Sequence, residues 1–154
     1  MLGAMRITAN EGASMSATLG TPVRTPSTRR RTRSLVVLAT VLAAVVVWVI
    51  AIPVLGAEVT IPARPGASER VDLGVVPVLI TSTVAALAGW ALLAVLERFF
   101  RNARAIWTVV AVAVLVLSMP YAPGFTGLER VVLGLLHLTV AAVLIPGMRR
   151  TGAR

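Results

Sequence analysis

Four runs of apolar residues, separated by short polar segments, dominate the chain. The first run, residues 35–55, has 21 residues without a charge, among them eight Val, four Leu and two Ile. At about 1.5 Å per residue, a helix of this length crosses the ~30 Å hydrocarbon core of a bilayer. Three further apolar runs follow it. The pattern predicts four membrane-crossing helices, at about residues 34–55, 73–96, 105–119 and 128–148.

The arginines set the expected orientation of these helices. All 15 basic residues are Arg, against six acidic residues. Three Arg-rich segments flank the apolar runs, with Arg29, Arg30, Arg31 and Arg33 in the first, Arg98, Arg101 and Arg104 in the second, and Arg149 and Arg150 in the third. Such segments stay on the cytoplasmic side, and four crossings bring all three to one face. We predict an all-α, up-down-up-down membrane bundle with both termini cytoplasmic and these arginines at the membrane surface, against anionic lipid head groups.

Polar segments lie outside the predicted helices. Residues 1–33, rich in Thr, Ser, Gly and Arg, are predicted to form a disordered cytoplasmic tail, and residues 151–154 a second, short one. Residues 56–72 carry a net charge of −1, which places them on the outer side. Their alternation of polar and apolar residues around Pro65 and Gly66 favours a short β-hairpin with a type II turn as much as a plain loop.

The composition agrees with a membrane protein. Of the 154 residues, 57% are hydrophobic and 14% are charged, whereas soluble domains average about 45–50% and about 25%. The net charge of +9 lies in tails and short loops rather than on a folded face with aromatic residues between the arginines, so nucleic-acid binding is not expected. The chain has no Cys, which excludes disulfides and thiolate metal sites.

The single histidine, His137, is the main candidate for a polar site within the membrane. It lies about nine residues from the outer end of the fourth predicted helix. Thr81, Ser82 and Thr83 lie at a similar depth in the second. We hypothesise that His137 faces the interior and bonds one of these hydroxyls, since an ionisable residue in a membrane is a functional candidate. The structural alternatives are a neutral His that joins helices, worth about 1 kcal/mol, and hydroxyls bonded to carbonyls four residues earlier.

Small residues mark the expected contacts between helices. Ala85 and Gly89 fall four residues apart on one face of the second predicted helix, together with the first of the three hydroxyl residues. Gly134 and Ala141 share a face of the fourth with the histidine. Residues of this size let two helix backbones approach closely in a membrane. We therefore expect these four positions to lie at helix–helix contacts.

No residue set for catalysis is visible. The interiors of the predicted spans hold no Asp or Glu, and the sequence has no Ser/His/Asp set, metal motif or phosphate-binding loop. We therefore predict no catalytic residue, no metal site and no cofactor, and an enzyme is not expected. Glu129 and Arg130, at the outer edge of the fourth predicted helix, are expected to form a solvated pair at the interface.

Short strings in the last three predicted helices carry a resemblance to a known family. They are residues 89–93 (Gly-Trp-Ala-Leu-Leu) with Glu97-Arg98, residues 106–109 (Ile-Trp-Thr-Val), His137-Leu138, and residues 143–147 (Val-Leu-Ile-Pro-Gly). Over about residues 29–150 the chain resembles uncharacterised small four-helix membrane proteins of actinobacteria. The resemblance implies the topology and a bacterial origin, and it implies no activity. We therefore predict a location in the bacterial plasma membrane.

The sequence therefore predicts a small multi-pass membrane protein that acts without catalysis, as a partner-binding or structural subunit. Its expected partners are the lipid bilayer and a second copy or another membrane protein. The alternative is a small transporter or channel subunit that uses His137 and the hydroxyls of residues 81–83. A polar, water-accessible cavity at His137 would favour transport. A dry bundle with a ridge of small residues facing lipid would favour partner binding.

Overall fold

The computed structural model describes residues 26–64, 67–121 and 124–151. In chain order the elements are helix α1 (Pro26–Val49), a π-helical segment (Ile50–Val54), strands β1 (Thr60–Pro62) and β2 (Arg70–Asp72), and helices α2 (Val75–Phe99), α3 (Ala103–Leu117) and α4 (Gly127–Thr151). The described chain is thus mainly helical, as predicted, with one two-stranded sheet.

Among the described residues, three helical stretches are long and apolar enough to cross a membrane: Thr28–Val54, Val75–Phe99 and Gly127–Thr151. Helix α3 is apolar but has only 15 residues, roughly 22 Å at 1.5 Å per residue. Large apolar side chains point away from the bundle, as at Val84 and Val131, which are 60% and 59% exposed. Water-soluble monomers rarely expose extended apolar surfaces of this kind, so the fold is consistent with a membrane protein.

Helix α1 begins earlier than the sequence predicts. It starts at Pro26 rather than near Ser34, so the end of the predicted disordered tail is helical. Proline suits the first turn of a helix, because the N–H that it lacks would have no partner there. Residues 1–25 of the predicted tail lie outside the described residues, as do residues 152–154.

The end of α1 turns the chain toward the sheet. Pro53 cannot donate a backbone hydrogen bond, and the regular helical pattern breaks around it. Leu55 N donates to Ile50 O at 3.0 Å, which is the wider π-helical pattern. Gly56 then has a φ of +67°, a conformation that costs glycine little. The chain leaves the helix at this glycine.

The two strands form an antiparallel hairpin between α1 and α2, one of the two arrangements expected for this segment. Thr60 pairs with Asp72. Trp48, near the end of α1, donates its indole N–H to the carbonyl of Leu73 at 2.8 Å, which ties the base of the hairpin to the bundle. The expected type II turn at residues 65–66 lies outside the described residues.

Two clusters of buried apolar side chains hold the helices together. One lies near the hairpin and includes Ala44 and Leu136. The other lies toward the opposite end and includes Trp107 and Met148. Between α2, α3 and α4 the packing is incomplete, and the candidate site is there.

Candidate functional site

A cavity of about 530 Å³ lies among α2, α3 and α4. Pockets for small molecules usually measure about 300–1,000 Å³. The lining is apolar except for the indole of Trp107 and four other polar side chains, Thr81, Ser82, Ser118 and His137. The structure thus brings His137 to the same cavity as two of the three hydroxyls that the sequence singles out. Thr83 is half-buried and does not line it.

Hydrogen bonds around the cavity are local. His137 Nδ1 lies 2.7 Å from the carbonyl oxygen of Leu133. Thr81 and Ser82 donate to backbone carbonyls one helical turn earlier, at 2.7 and 2.6 Å. The hypothesised bond between His137 and a hydroxyl is therefore not formed, and this expectation is corrected. A carbonyl on the same helix is already in reach, so no second helix has to supply a partner.

Gly89 lines the cavity where α2 approaches α3 and α4 closely. The indole N–H of Trp107 donates to the carbonyl of Gly89 at 2.8 Å. A Cβ on Gly89 would lie 3.3 Å from Leu144 Cδ2, which would have to give by a few tenths of an ångström, and 3.6 Å from the Trp107 ring, an ordinary van der Waals contact. Ala85 and Ala141 line the open part of the cavity instead of a helix crossing.

The close crossing of α4 with α1 is at Gly147 and not at Gly134. A Cβ on Gly134 would meet nothing within 4 Å, which corrects its expected role in packing. A Cβ on Gly147 would lie 2.6 Å from Val36 Cγ1. Valine has one strongly preferred rotamer in a helix, so it has little freedom to move aside.

Glu129 is buried at the hairpin end of the bundle, with 4% of its surface exposed. Its Oε1 accepts hydrogen bonds from Thr60 Oγ1 at 2.6 Å, Thr60 N at 3.1 Å and Arg70 Nη2 at 2.8 Å. Its Oε2 accepts from Thr126 N at 2.8 Å. The expected solvated pair of Glu129 with Arg130 is wrong: the ion pair is with Arg70, and Arg130 is exposed. A carboxylate with four donors can stay charged away from water.

The sequence contains a motif that predicts part of the hydrogen bonding of Glu129. Thr126-Gly-Leu-Glu129 has the Thr-x-x-Glu spacing of a capping box. The return bond is present as well, since Glu129 N donates to Thr126 Oγ1 at 3.2 Å. The motif fixes the carboxylate in the first turn of α4, where the helix dipole favours negative charge. It does not reveal the partners Thr60 and Arg70, which lie 69 and 59 residues away.

The opposite end of the bundle holds a second buried ion pair. Arg33 is 4% exposed, its Nη2 lies 2.7 Å from Glu97 Oε1, and its Nε donates to Thr151 Oγ1 at 3.4 Å. The start of α1 therefore meets the ends of α2 and α4. This corrects the expected surface position of Arg33, because Glu97 provides a partner inside the bundle. Of the other arginines predicted at the membrane surface, Arg29 and Arg104 are half-buried, and Arg30, Arg31, Arg98, Arg101, Arg149 and Arg150 are exposed.

These side chains offer binding and stabilising groups rather than reactive ones. Within residues 26–64, 67–121 and 124–151, no three His, Asp or Glu side chains are close enough to hold a metal ion. Glu97 and Glu129 each hold an arginine at opposite ends of the molecule. The described residues that line the cavity include one imidazole and no carboxylate.

Fold and site together are consistent with a small helical membrane protein that has an apolar cavity between its helices. The chain belongs to the family of unknown function DUF6069, whose model matches residues 24–154. The match includes every described residue of the two ion pairs and the cavity. Neither the curated proteins nor the solved structures compared with the chain gave a match.

Proposed function

We propose that this protein is a non-enzymatic binding subunit of the bacterial plasma membrane, and that its cavity among α2, α3 and α4 receives a molecule from within the bilayer. One observation carries the proposal: the cavity is about 530 Å³ in volume and almost wholly apolar. Val114, which lines it, is 58% exposed, so the cavity opens at the surface of the bundle. A ligand that enters there would come from lipid, not from water.

We further propose four membrane crossings with both termini in the cytoplasm. The Arg-rich start of α1, the loop between α2 and α3, and the end of α4 lie near one another, as the contacts of Arg33 with Glu97 and Thr151 indicate. Arginine-rich segments favour the cytoplasmic side. The hairpin lies at the other end, which this arrangement places outside. Helix α3 is short, and neighbouring arginines that extend toward the head groups would let it span.

Cysteine labelling tests this orientation directly, because the chain has no native Cys. Ser68, beside the hairpin, and Asn102, between α2 and α3, are both exposed. In intact bacterial spheroplasts, a membrane-impermeant maleimide is expected to label Ser68→Cys and to label Asn102→Cys only after permeabilisation. Both variants should react fully in detergent. Equal labelling of the two in intact spheroplasts, or the reverse order, would contradict the proposed topology.

Photo-crosslinking tests the binding role. Val114 and Val46 are similarly exposed, at 58% and 55%, but only Val114 lines the cavity. With benzoylphenylalanine in place of Val114, irradiation of native membranes is expected to give a discrete adduct, identified by mass spectrometry. The same probe at Val46 should give only adducts of the bulk phospholipids. The same products in the same yield at both positions would refute a binding role for the cavity.

A transporter or channel subunit is the second candidate. It is favoured by the position of His137, Thr81 and Ser82 on one cavity. The apolar remainder of the lining argues against it, because a permeating ion or polar solute would have few groups to replace its water. A proton or solute flux into vesicles that contain the protein, lost on His137→Ala, would favour transport over binding.

A further inference from the structure

The hydroxyl and indole groups around the cavity share one property: each has its proton engaged by a backbone carbonyl. Thr81, Ser82 and Ser118 donate to carbonyls of their own helices at 2.7, 2.6 and 3.1 Å. The indole of Trp107 donates to a carbonyl of α2 at 2.8 Å. A hydroxyl has one proton and two lone pairs, and an indole N–H can only donate. The hydroxyl oxygens can therefore still accept hydrogen bonds from a ligand, whereas their protons are already engaged.

His137 has the same character. Because the carbonyl of Leu133 can only accept, we assign the ring proton to Nδ1, which lies 2.7 Å from that oxygen. In the neutral ring, Nε2 then carries a lone pair and accepts. No described residue forms a hydrogen bond with Nε2. With this tautomer, the described polar residues of the lining present an imidazole acceptor and hydroxyl acceptors, and the protons that they carry are engaged by backbone carbonyls.

We propose that the cavity binds a lipid alcohol, an uncharged lipid whose polar group is a free hydroxyl. This inference rests on the proposed function, since it names the molecule that the cavity would receive. The hydroxyl proton of such a lipid has acceptors at His137 Nε2 and at the side-chain oxygens of Thr81 and Ser82. A quinone, ketone or ester has only acceptor oxygens, which would find no donor here, and an unpaired polar group inside the membrane weakens binding. An ionised carboxylate on a ligand would meet only the lone pairs of these acceptors and would find no hydrogen-bond donor.

The polar and apolar residues of the lining lie at different ends of the cavity, which predicts the orientation of a bound ligand. Thr81 lies roughly 9 Å and Gly89 roughly 21 Å along α2 from its first residue, at 1.5 Å per residue. The acceptor side chains therefore lie toward the hairpin end of the cavity, while Gly89, Trp107 and Leu144 form its apolar opposite end. We place the hydroxyl near Thr81 and His137, and the hydrocarbon chain along Gly89 and Trp107.

A matched pair of ligands tests the proposal on the unaltered protein. The full chain, in phosphatidylcholine vesicles, is irradiated with a long-chain primary alcohol that carries a diazirine in mid-chain, and in parallel with the methyl ether of that alcohol. The two differ only in the hydroxyl proton. We expect the alcohol to label α3 and α4 residues of the cavity with an apparent affinity roughly tenfold higher than the ether, as one hydrogen bond made or lost would give.

Two variants and one control locate the effect. His137→Leu is expected to lower labelling by the alcohol to the level of the ether and to leave the ether unchanged. Ala141→Leu, which fills the cavity, should reduce labelling by both. Ala142→Leu adds the same side chain at the next position, which is exposed and does not line the cavity, and should change nothing.

The outcomes separate this inference from the proposed function. Equal labelling by alcohol and ether, with a discrete adduct still formed from Val114, would overturn the lipid alcohol and keep the binding role. Cross-linking of a protein from Val114, with no saturable alcohol labelling, would replace the lipid by a partner helix. Labelling by the alcohol that Ala141→Leu leaves intact would place its site elsewhere. If Ala141→Leu does not fold, the alcohol–ether ratio on the unaltered chain still decides.

Discussion

Replacing Glu129 by Gln is expected to lower the free energy of unfolding of the bundle by roughly 2–4 kcal/mol. The substitution keeps the shape of the side chain but removes its charge, and one of its two oxygens becomes an amide NH2. That group would face either Thr126 N–H or the donors of Thr60 and Arg70, all within 3.1 Å of the carboxylate. The estimate lies below that for a fully buried pair because the side chain of Arg70 is 32% exposed.

Glu58→Gln is the matched control. Glu58 lies just before the hairpin and is exposed, and exposed substitutions usually change stability by no more than about 0.5 kcal/mol. The measurement is unfolding of the purified protein in mixed micelles of mild detergent and dodecyl sulfate, followed by helical circular dichroism. If the two variants unfold at the same denaturant fraction, the carboxylate of Glu129 does not tie the hairpin to α4.

The helices were predictable because membrane crossing imposes a simple requirement on sequence. A span needs a long run of residues without charge, and such runs locate α2 and α4 within a few residues of their observed bounds, Val75–Phe99 and Gly127–Thr151. The start of α1 was missed because the Arg-rich stretch before the apolar run has no apolar periodicity to identify a helix. The alternation of polar and apolar residues between α1 and α2 predicts a hairpin as one of two options, the other being a plain loop.

The sequence indicates that Arg33 lies on a buried face, but it does not indicate the partner of Arg33. Three buried positions of α1, Arg33, Thr40 and Ala44, and Ala51 of the π-helical segment recur at intervals of seven and four residues, so they lie on one helical face. This spacing places Arg33 on the buried face of the helix, among small residues. The three neighbouring arginines make that position easy to overlook, because they suggest a solvent-exposed segment. Its partner Glu97 is 64 residues away. Nothing local in either segment indicates that the two would meet.

The candidate cavity was predictable in its residues but not in its form. The pattern of small and hydroxyl residues on α2 indicated a close approach by another helix, and at Gly89 the approach is close. At Thr81 and Ala85 the same face of α2 lines the cavity and is not covered by another helix. Which part of a small-residue face is covered depends on the length and tilt of the neighbouring helix. Helix α3, with 15 residues, has fewer positions with which to pack than α2.

Replacing Arg33 by Gln is expected to cost more stability than any change at the exposed arginines, about 3–5 kcal/mol. The substitution removes a cation that lies 2.7 Å from the carboxylate of Glu97, in an ion pair whose side chains are only 5% and 14% exposed. It also removes the hydrogen bond to Thr151 that joins α1 to the end of α4. Unfolding in the same mixed micelles measures the loss. The double variant Arg33→Gln/Glu97→Gln should recover part of it, because the two amides can hydrogen-bond to each other in place of the ion pair.

Arg30→Gln separates the ion pair from the membrane orientation. Arg30 lies one turn earlier on α1, is exposed, and belongs to the same Arg-rich segment. Both substitutions remove one positive charge from that segment, so both weaken its preference for the cytoplasmic side equally. A difference in stability between them therefore measures what Arg33 does inside the bundle. Equal stability of the two variants, or a double variant no more stable than Arg33→Gln alone, would show that the pair of Arg33 and Glu97 does not hold α1 to α2.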